Sequence, residues 1–252
     1  MSKDSSADTD AIRALRLGLE MEMRFIDTAE MYAKGHSEEV VAEAVGAERE
    51  SVFIATKVSP ENLKYDSVLR SCESSLKRLR TGYVDLYQVH WPNSRIPIRD
   101  TMRAMEKLMT EGKIRHIGVS NFSKKQTREA QEALSKSSLA SNQVEYSLLE
   151  RSIEKELLPY CTSEHVTIIA YTPLGRGSLA ESPLKGRRVV LDEIASKYCK
   201  TGAQIALNWL IAKEAVVAIP KATNLQHIRV NAAAAGWRLS REDERKLDES
   251  FR

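Results

Sequence analysis

The chain has 252 residues, 42% of them hydrophobic and 29% charged, with 38 basic against 35 acidic side chains and a formal net charge of +3. This is the makeup of an ordinary globular domain with room for one sizeable core, and the balanced charge excludes a strong field for nucleic acid or a membrane surface. Cys72, Cys161 and Cys199 are scattered and lack CxxC spacing, which excludes a disulfide framework or zinc knuckle and points to a reducing cytoplasm.

The N-terminus is polar and lacks the apolar core of a signal peptide, and no apolar run reaches the length of a membrane span. Asp8 or Thr9 can cap a first helix that carries Ile12, Leu15 and Leu19 on one face. A strand over 24–27 follows, then a helix over 37–45. Strand 52–57 leads to a helix over 66–79, whose basic end, Lys77-Arg78-Leu79-Arg80, reads as a solvated helix terminus. Strand 84–90 leads to a helix over 98–110 that Gly112 ends as a left-handed cap. Strand 114–119 precedes a helix over 124–134, and strand 141–146 a helix over 153–162. Strand 166–171 reads Val-Thr-Ile-Ile-Ala-Tyr, apolar on both faces as in a buried parallel sheet. Helical material over 192–213, strand 216–219 and helices over 225–235 and 242–251 complete the pattern. Alternation of strand and helix with short connections predicts parallel βαβ units in a single domain over 1–252. The absence of an early Gly-x-Gly-x-x-Gly turn favours a (β/α)8 TIM barrel over an open dinucleotide-binding sheet. Only seven strands are found, because residues 1–7 are too polar and too short to supply a first one.

Asp27, Lys57 and His90 each stand at the C-terminal end of one of three consecutive predicted strands, and Tyr32 lies just beyond the first. In a parallel barrel those ends share one mouth, where chemistry resides. Taken singly, Asp27 reads as a turn residue, Tyr32 as a half-buried aromatic, Lys57 as an edge cation and His90 as a core histidine. Together they form a proton-transfer centre, in which a cation brings a phenol that titrates near ~10 into a useful range. Trp91 reads as a substrate-pocket wall, while Trp209 reads as core and Trp237 as packed at a helix end.

The segments Arg24-Phe25-Ile26-Asp27-Thr28-Ala29-Glu30-Met31-Tyr32, Thr56-Lys57, Asp85-Leu86-Tyr87-Gln88-Val89-His90-Trp91-Pro92, Gly118-Val119-Ser120-Asn121-Phe122, Asn142-Gln143-Val144-Glu145-Tyr146, Tyr171-Thr172-Pro173-Leu174-Gly175 and Ile219-Pro220-Lys221-Ala222-Thr223 occur in this order along nearly the whole chain. In this the sequence resembles the aldo-keto reductases. The resemblance implies reduction of an aldehyde or ketone to an alcohol by hydride from NADPH, with NADH a weaker donor. It implies that Tyr32 is the general acid, that Lys57, held by Asp27, lowers the tyrosine pKa, and that His90 orients the carbonyl. It further implies Ser120, Asn121 and Gln143 at the nicotinamide carboxamide, Tyr171 stacked on the ring, and Leu174 and Gly175 along the pyrophosphate. Lys221 and Thr223 would meet the 2′-phosphate and Asn231 the adenine. The family often has a serine at Ala222 and an arginine at His227, so the resemblance implies a softened NADPH preference, with Arg229 as a substitute.

Relatives usually begin with a hairpin and a first strand that are missing here, which leaves edges at 24–27 and 216–219 and predicts a monomer or an edge-paired homo-oligomer. The expectation is that the chain begins at an internal methionine of a longer product, and that the short form binds cofactor weakly and turns over slowly. Short loops predict an open pocket and a small-molecule carbonyl range, with no metal. Two other readings stay open: a non-catalytic NADPH-binding relative, and an aldolase with Lys57 as Schiff-base lysine.

Overall fold

The computed structural model describes residues 5–181 and 186–252, which fall into two compact units, Met1–Asn142 and Gln143–Arg252. The first unit opens on α1 (Ser5–Glu20), followed by β1 (Phe25–Asp27), α2 (His36–Val45), β2 (Phe53–Val58), α3 (Tyr65–Leu79), β3 (Val84–Val89), α4 (Ile98–Thr110), β4 (Ile114–Ser120) and α5 (Lys124–Ala133). β5 (Leu139–Glu145) spans the division. The second unit continues with α6 (Leu157–Ser163), β6 (Thr167–Tyr171), α7 (Ser178–Glu181), α8 (Gly186–Lys197), α9 (Gly202–Ile211), β7 (Val216–Ala218), α10 (Leu225–Ala232) and α11 (Arg241–Ser250).

Hydrogen-bonded strands follow chain order from β1 to β7, so the seven strands of the described residues include two edges, β1 and β7. The β1–β2, β2–β3, β3–β4 and β6–β7 pairs are parallel. All six residues of β3 are buried, and each fully buried Val or Leu there contributes roughly 1.5–3 kcal/mol. Register aligns Lys57 with Gln88 and Gln88 with Gly118. Gly118 is small for a reason: a Cβ there would stand 2.5 Å from Ser141 Oγ and 2.8 Å from Gln88 Cγ.

Several expectations are corrected. The described part of α1 runs from Ser5, so Asp8 and Thr9 are interior residues and not caps. Asp8 instead accepts from His36 Nε2 at 2.9 Å, which ties α1 to the first residue of α2. The helix expected over 153–162 is a 3-10 turn, Ser152–Lys155, followed by α6. Pro159 sits in the first turn of α6, where a missing N–H is tolerated, and could not have sat in the middle of a longer helix. The helical stretch expected over 192–213 breaks into α8 and α9. Cys199 adopts a left-handed φ of 52°, and Thr201 then starts α9 with a capping box to Gln204. The basic end of α3 is not a purely solvated face either. Arg78 Nε donates to Glu38 Oε2 at 2.6 Å, and the other oxygen of this fully buried carboxylate accepts from Thr56 Oγ1.

Gly112 has φ 69° after α4, as its position predicts. Trp209 is buried with its indole N–H donated to Asp248, and Trp237 packs on Tyr198. Cys72 and Cys161 are buried, which pushes both thiols up to about 12 and leaves them inert, whereas Cys199 is exposed.

Candidate active site

The first unit assembles the four residues that the strand ends singled out. Asp27 is the last residue of β1, and Lys57 lies near the end of β2. His90 follows β3, its N–H held by Val58 O at 3.0 Å. Tyr32 reaches the same place through a tight excursion: Thr28 N–H binds Ala55 O, Tyr32 N–H binds Ala29 O, and Ala33, Lys34 and Gly35 follow with φ of 46°, 55° and 89°. Two successive left-handed non-glycine residues are strained backbone, of order 1–3 kcal/mol each, and such strain concentrates where a side chain must be aimed. Gly35 is required here, because its Cβ would lie 2.5 Å from Arg78 Nε.

Lys57 is completely buried, and its Nζ donates to Asp27 Oδ2 at 2.5 Å and to Thr28 O at 2.9 Å. The Tyr32 ring centroid is 5.1 Å from Nζ, and the His90 ring meets it edge-on with centroids 5.4 Å apart. Tyr32 is 39% exposed and Trp91 47%, so phenol and indole face outward from a buried base. Burial, with the Lys57 charge adding to it, pushes His90 down to about 4, so the imidazole is neutral at neutral pH. Its Nδ1 is buried and has no partner among the described residues.

This depression fixes a pH dependence. The unfolded chain takes up a proton on His90 below its ordinary value of 6.5, while the folded chain does so only near 4. Stability therefore falls as pH drops from 6.5 to 4, by an amount of order 3 kcal/mol from this group, and its contribution levels off below that. Urea midpoints across this range should show that slope in the parent and a shallower one in His90→Gln.

At the end of β4, Ser120 is buried and Asn121 takes a left-handed φ of 63°, which turns its amide back so that Nδ2 donates to His90 O at 3.1 Å and to Ser120 Oγ at 3.0 Å. These two predicted residues thus border the tetrad directly. A sequence model described as the Aldo/keto reductase family matches residues 1–251. The chain belongs to the aldo/keto reductase family. Among curated proteins it is 41% identical over 252 residues to methylglyoxal reductase YeaE of Escherichia coli, covering all of this chain and 88% of that protein. It is 36% identical over 241 residues to glyoxal reductase of Bacillus subtilis, covering 95% of this chain and 83% of that protein. The α/β fold is that of the aldo-keto reductases: an aldo/keto reductase from Klebsiella pneumoniae, solved with NADP and acetate, superimposes with a TM-score of 0.92 at 38% identity, over all of this chain and 88% of that one. The thermostable aldo-keto reductase Tm1743, solved with the inhibitor epalrestat, gives 0.92 at 41% identity, over 99% and 90%.

The remaining residues that the aldo-keto reductase motifs singled out lie in the second unit. Gln143 is buried on β5, and Tyr171 ends β6 half-buried. Thr172, Gly175, Arg176 and Gly177 then turn through φ of 52°, 55°, 56° and 90°, with Leu174 between them. A Cβ on Gly175 would meet Leu149 Cδ1 at 2.7 Å, so that side chain would have to turn aside for any larger residue. Lys221 and Thr223 are exposed just before α10, and Asn231 is buried within it. His227 gives its backbone N–H to the capping Asn224. Two residues at the tetrad were not singled out. Met31 is 47% exposed beside Tyr32, and Gln88 donates to Asp27 Oδ1 at 3.3 Å from a fully buried position. The signal for Gln88 was parity: it shares a strand face with His90, and amides are rare on buried parallel strands.

Proposed function

We propose that this chain reduces small aldehydes, α-oxoaldehydes of the methylglyoxal and glyoxal type foremost, with NADPH as the reductant. The observation that carries the reading is the position of Lys57 Nζ, clamped by Asp27 and Thr28 O yet 5.1 Å from the Tyr32 ring. A fixed cation beside a phenol stabilises phenolate, which suits Tyr32 to the role of proton donor. Tyr32 gives that proton to the carbonyl oxygen as negative charge develops there. Neutral His90 keeps one ring N–H to donate to the same oxygen and does not compete as an acid. NADPH supplies the hydride. The chain supplies position, charge and a partly dehydrated floor.

Each unit carries residue types that suit the dinucleotide. In the first, Ser120 and Asn121 offer a hydroxyl and an amide to a carboxamide; in the second, Gln143 offers an amide and Tyr171 a ring for stacking. Leu174 and Gly175 belong to a turn whose left-handed backbone suits the pyrophosphate. Exposed Lys221 and Thr223 answer a 2′-phosphate and Asn231 an adenine. The names of relatives support the substrate class, and the K. pneumoniae complex supports the cofactor. Trp91, half exposed beside His90, forms an apolar wall.

The ion pair also argues against the aldolase reading. A Schiff-base lysine must attack through a free, accessible lone pair, whereas Lys57 Nζ is fully buried and bonded to Asp27 Oδ2 and Thr28 O. Mixing the purified chain with NADPH and methylglyoxal should consume NADPH, and no consumption with either NADPH or NADH and either methylglyoxal or glyoxal would reject the proposal. Lys221→Ala should weaken NADPH binding roughly tenfold, the worth of a charge-assisted phosphate contact, and leave NADH binding unchanged. Fluorescence titration with both cofactors checks this.

A further inference from the structure

Glu30 stands two residues before Tyr32, on the loop that leaves β1, and its half-buried carboxylate bonds inward. Oε1 accepts the backbone N–H of Ser59 at 2.7 Å and Nδ2 of Asn62 at 3.0 Å. The Glu30 N–H reaches Lys57 O at 3.3 Å. Ser59 and Asn62 bracket the 3-10 turn, Pro60–Asn62, that follows β2. That turn is itself fixed to the loop beyond His90, since Asn93 Nδ2 donates to Pro60 O at 2.8 Å. One side chain therefore ties the loop of Tyr32 to a frame shared by Lys57 and His90. The tie is firm, because an N–H held by a carboxylate is a stronger contact than one held by a neutral oxygen.

Two features show that this loop needs holding. Tyr32 is 39% exposed, so packing supports its ring from one side only, where Lys57 and His90 lie. Directly after it, Ala33 and Lys34 adopt left-handed φ of 46° and 55°, and such strain persists only where the surroundings over-determine it. Downstream the chain is fixed by Glu38, fully buried and bonded to Thr56 and Arg78. Upstream, Glu30 does the same. We propose that Glu30 is a positioning residue: by bonding Ser59 and Asn62 it fixes where the Tyr32 ring stands relative to Lys57 and His90. With the carboxylate gone the strained turn relaxes and the phenol drifts from its place, and a displacement of about 1 Å costs up to roughly 10²-fold in rate. This inference rests on the reading of Tyr32 as general acid.

The test compares Glu30→Leu, which removes the acceptor, with Glu30→Gln, which keeps a carbonyl oxygen for Ser59 and Asn62 and drops the charge. Both are assayed as the NADPH-loaded enzyme with methylglyoxal at pH 7. The expected result is a kcat about tenfold lower in Glu30→Leu and within about twofold of the parent in Glu30→Gln. NADPH affinity, read by fluorescence titration, should be unchanged in both. A merely structural carboxylate would lower the melting temperature of Glu30→Leu and leave its kcat at the parent value, and that pattern overturns the inference. So does a Glu30→Gln as slow as Glu30→Leu, since the charge and not the bonds would then matter. Tyr32→Phe run alongside separates the two ideas. On that background Glu30→Leu should slow the residual rate by less than about twofold, because the group it positions is gone; a second tenfold loss overturns the inference. If Tyr32→Phe is slow while Glu30→Leu matches the parent, the positioning role fails and the acid assignment stands. If Tyr32→Phe stays active, the acid assignment fails and the inference with it. Should Glu30→Leu not fold, Asn62→Ala decides, because it removes one of the two donors: a kcat about threefold lower upholds the inference and a parental kcat overturns it.

Discussion

Tyr32→Phe should reduce turnover of methylglyoxal by on the order of 10²–10⁴-fold, the range that a general acid contributes. The variant loses one oxygen and keeps the ring. The edge-on contact with His90 and the cation–ring approach of Lys57 both belong to the ring, so the local packing survives. Tyr32 is 39% exposed, and removing its hydroxyl leaves no buried cavity. Melting temperature and NADPH affinity should therefore be close to those of the parent, which makes the rate a clean readout. Neutral His90 is a poor substitute, because an imidazole with its pKa near 4 has only its strongly held N–H proton to offer at pH 7. Activity within a few-fold of the parent would mean that the proton reaches the carbonyl by another route, and would remove the basis for the proposed chemistry.

The tetrad was legible in the sequence because of a topological regularity. Once 24–27, 52–57 and 84–90 read as successive parallel strands, Asp27, Lys57 and His90 had to emerge at one end, and the structure brings them together there. What escaped was whatever depends on contacts between residues far apart in the chain. Gln88 sits in an apolar run and looks like one more buried position; its partner Asp27 is 61 residues away. Arg78 read as part of a solvated helix terminus, and only the packing of α2 against α3 pairs it with Glu38, 40 residues away. Breaks in regular structure were missed for a local reason. Periodicity runs through 153–162 and 192–213, while Pro159 and the left-handed Cys199 interrupt the hydrogen bonding that periodicity does not register. The strained turn after Tyr32 was invisible too, since Ala33 and Lys34 carry no preference for positive φ.

Removing the cation should be the most damaging single change to the fold. In Lys57→Met the ammonium disappears and the Asp27 carboxylate stays behind, 9% exposed, without its cation. Breaking a buried pair from one side typically destabilises by roughly 3–5 kcal/mol, which for a chain of this size lowers the melting temperature by about 10 °C. Turnover should collapse as well, because the phenol loses the cation beside it. The two losses have different causes, and a second substitution separates them. Adding Asp27→Asn to Lys57→Met removes the stranded charge, so most of the stability should return. The rate should not return, since the double variant still has no cation beside Tyr32. Calorimetry and NADPH consumption on the two single variants and the double one read this out. A double variant that recovered rate along with stability would show that Lys57 serves only to neutralise Asp27, and that the phenol donates its proton without help from the cation.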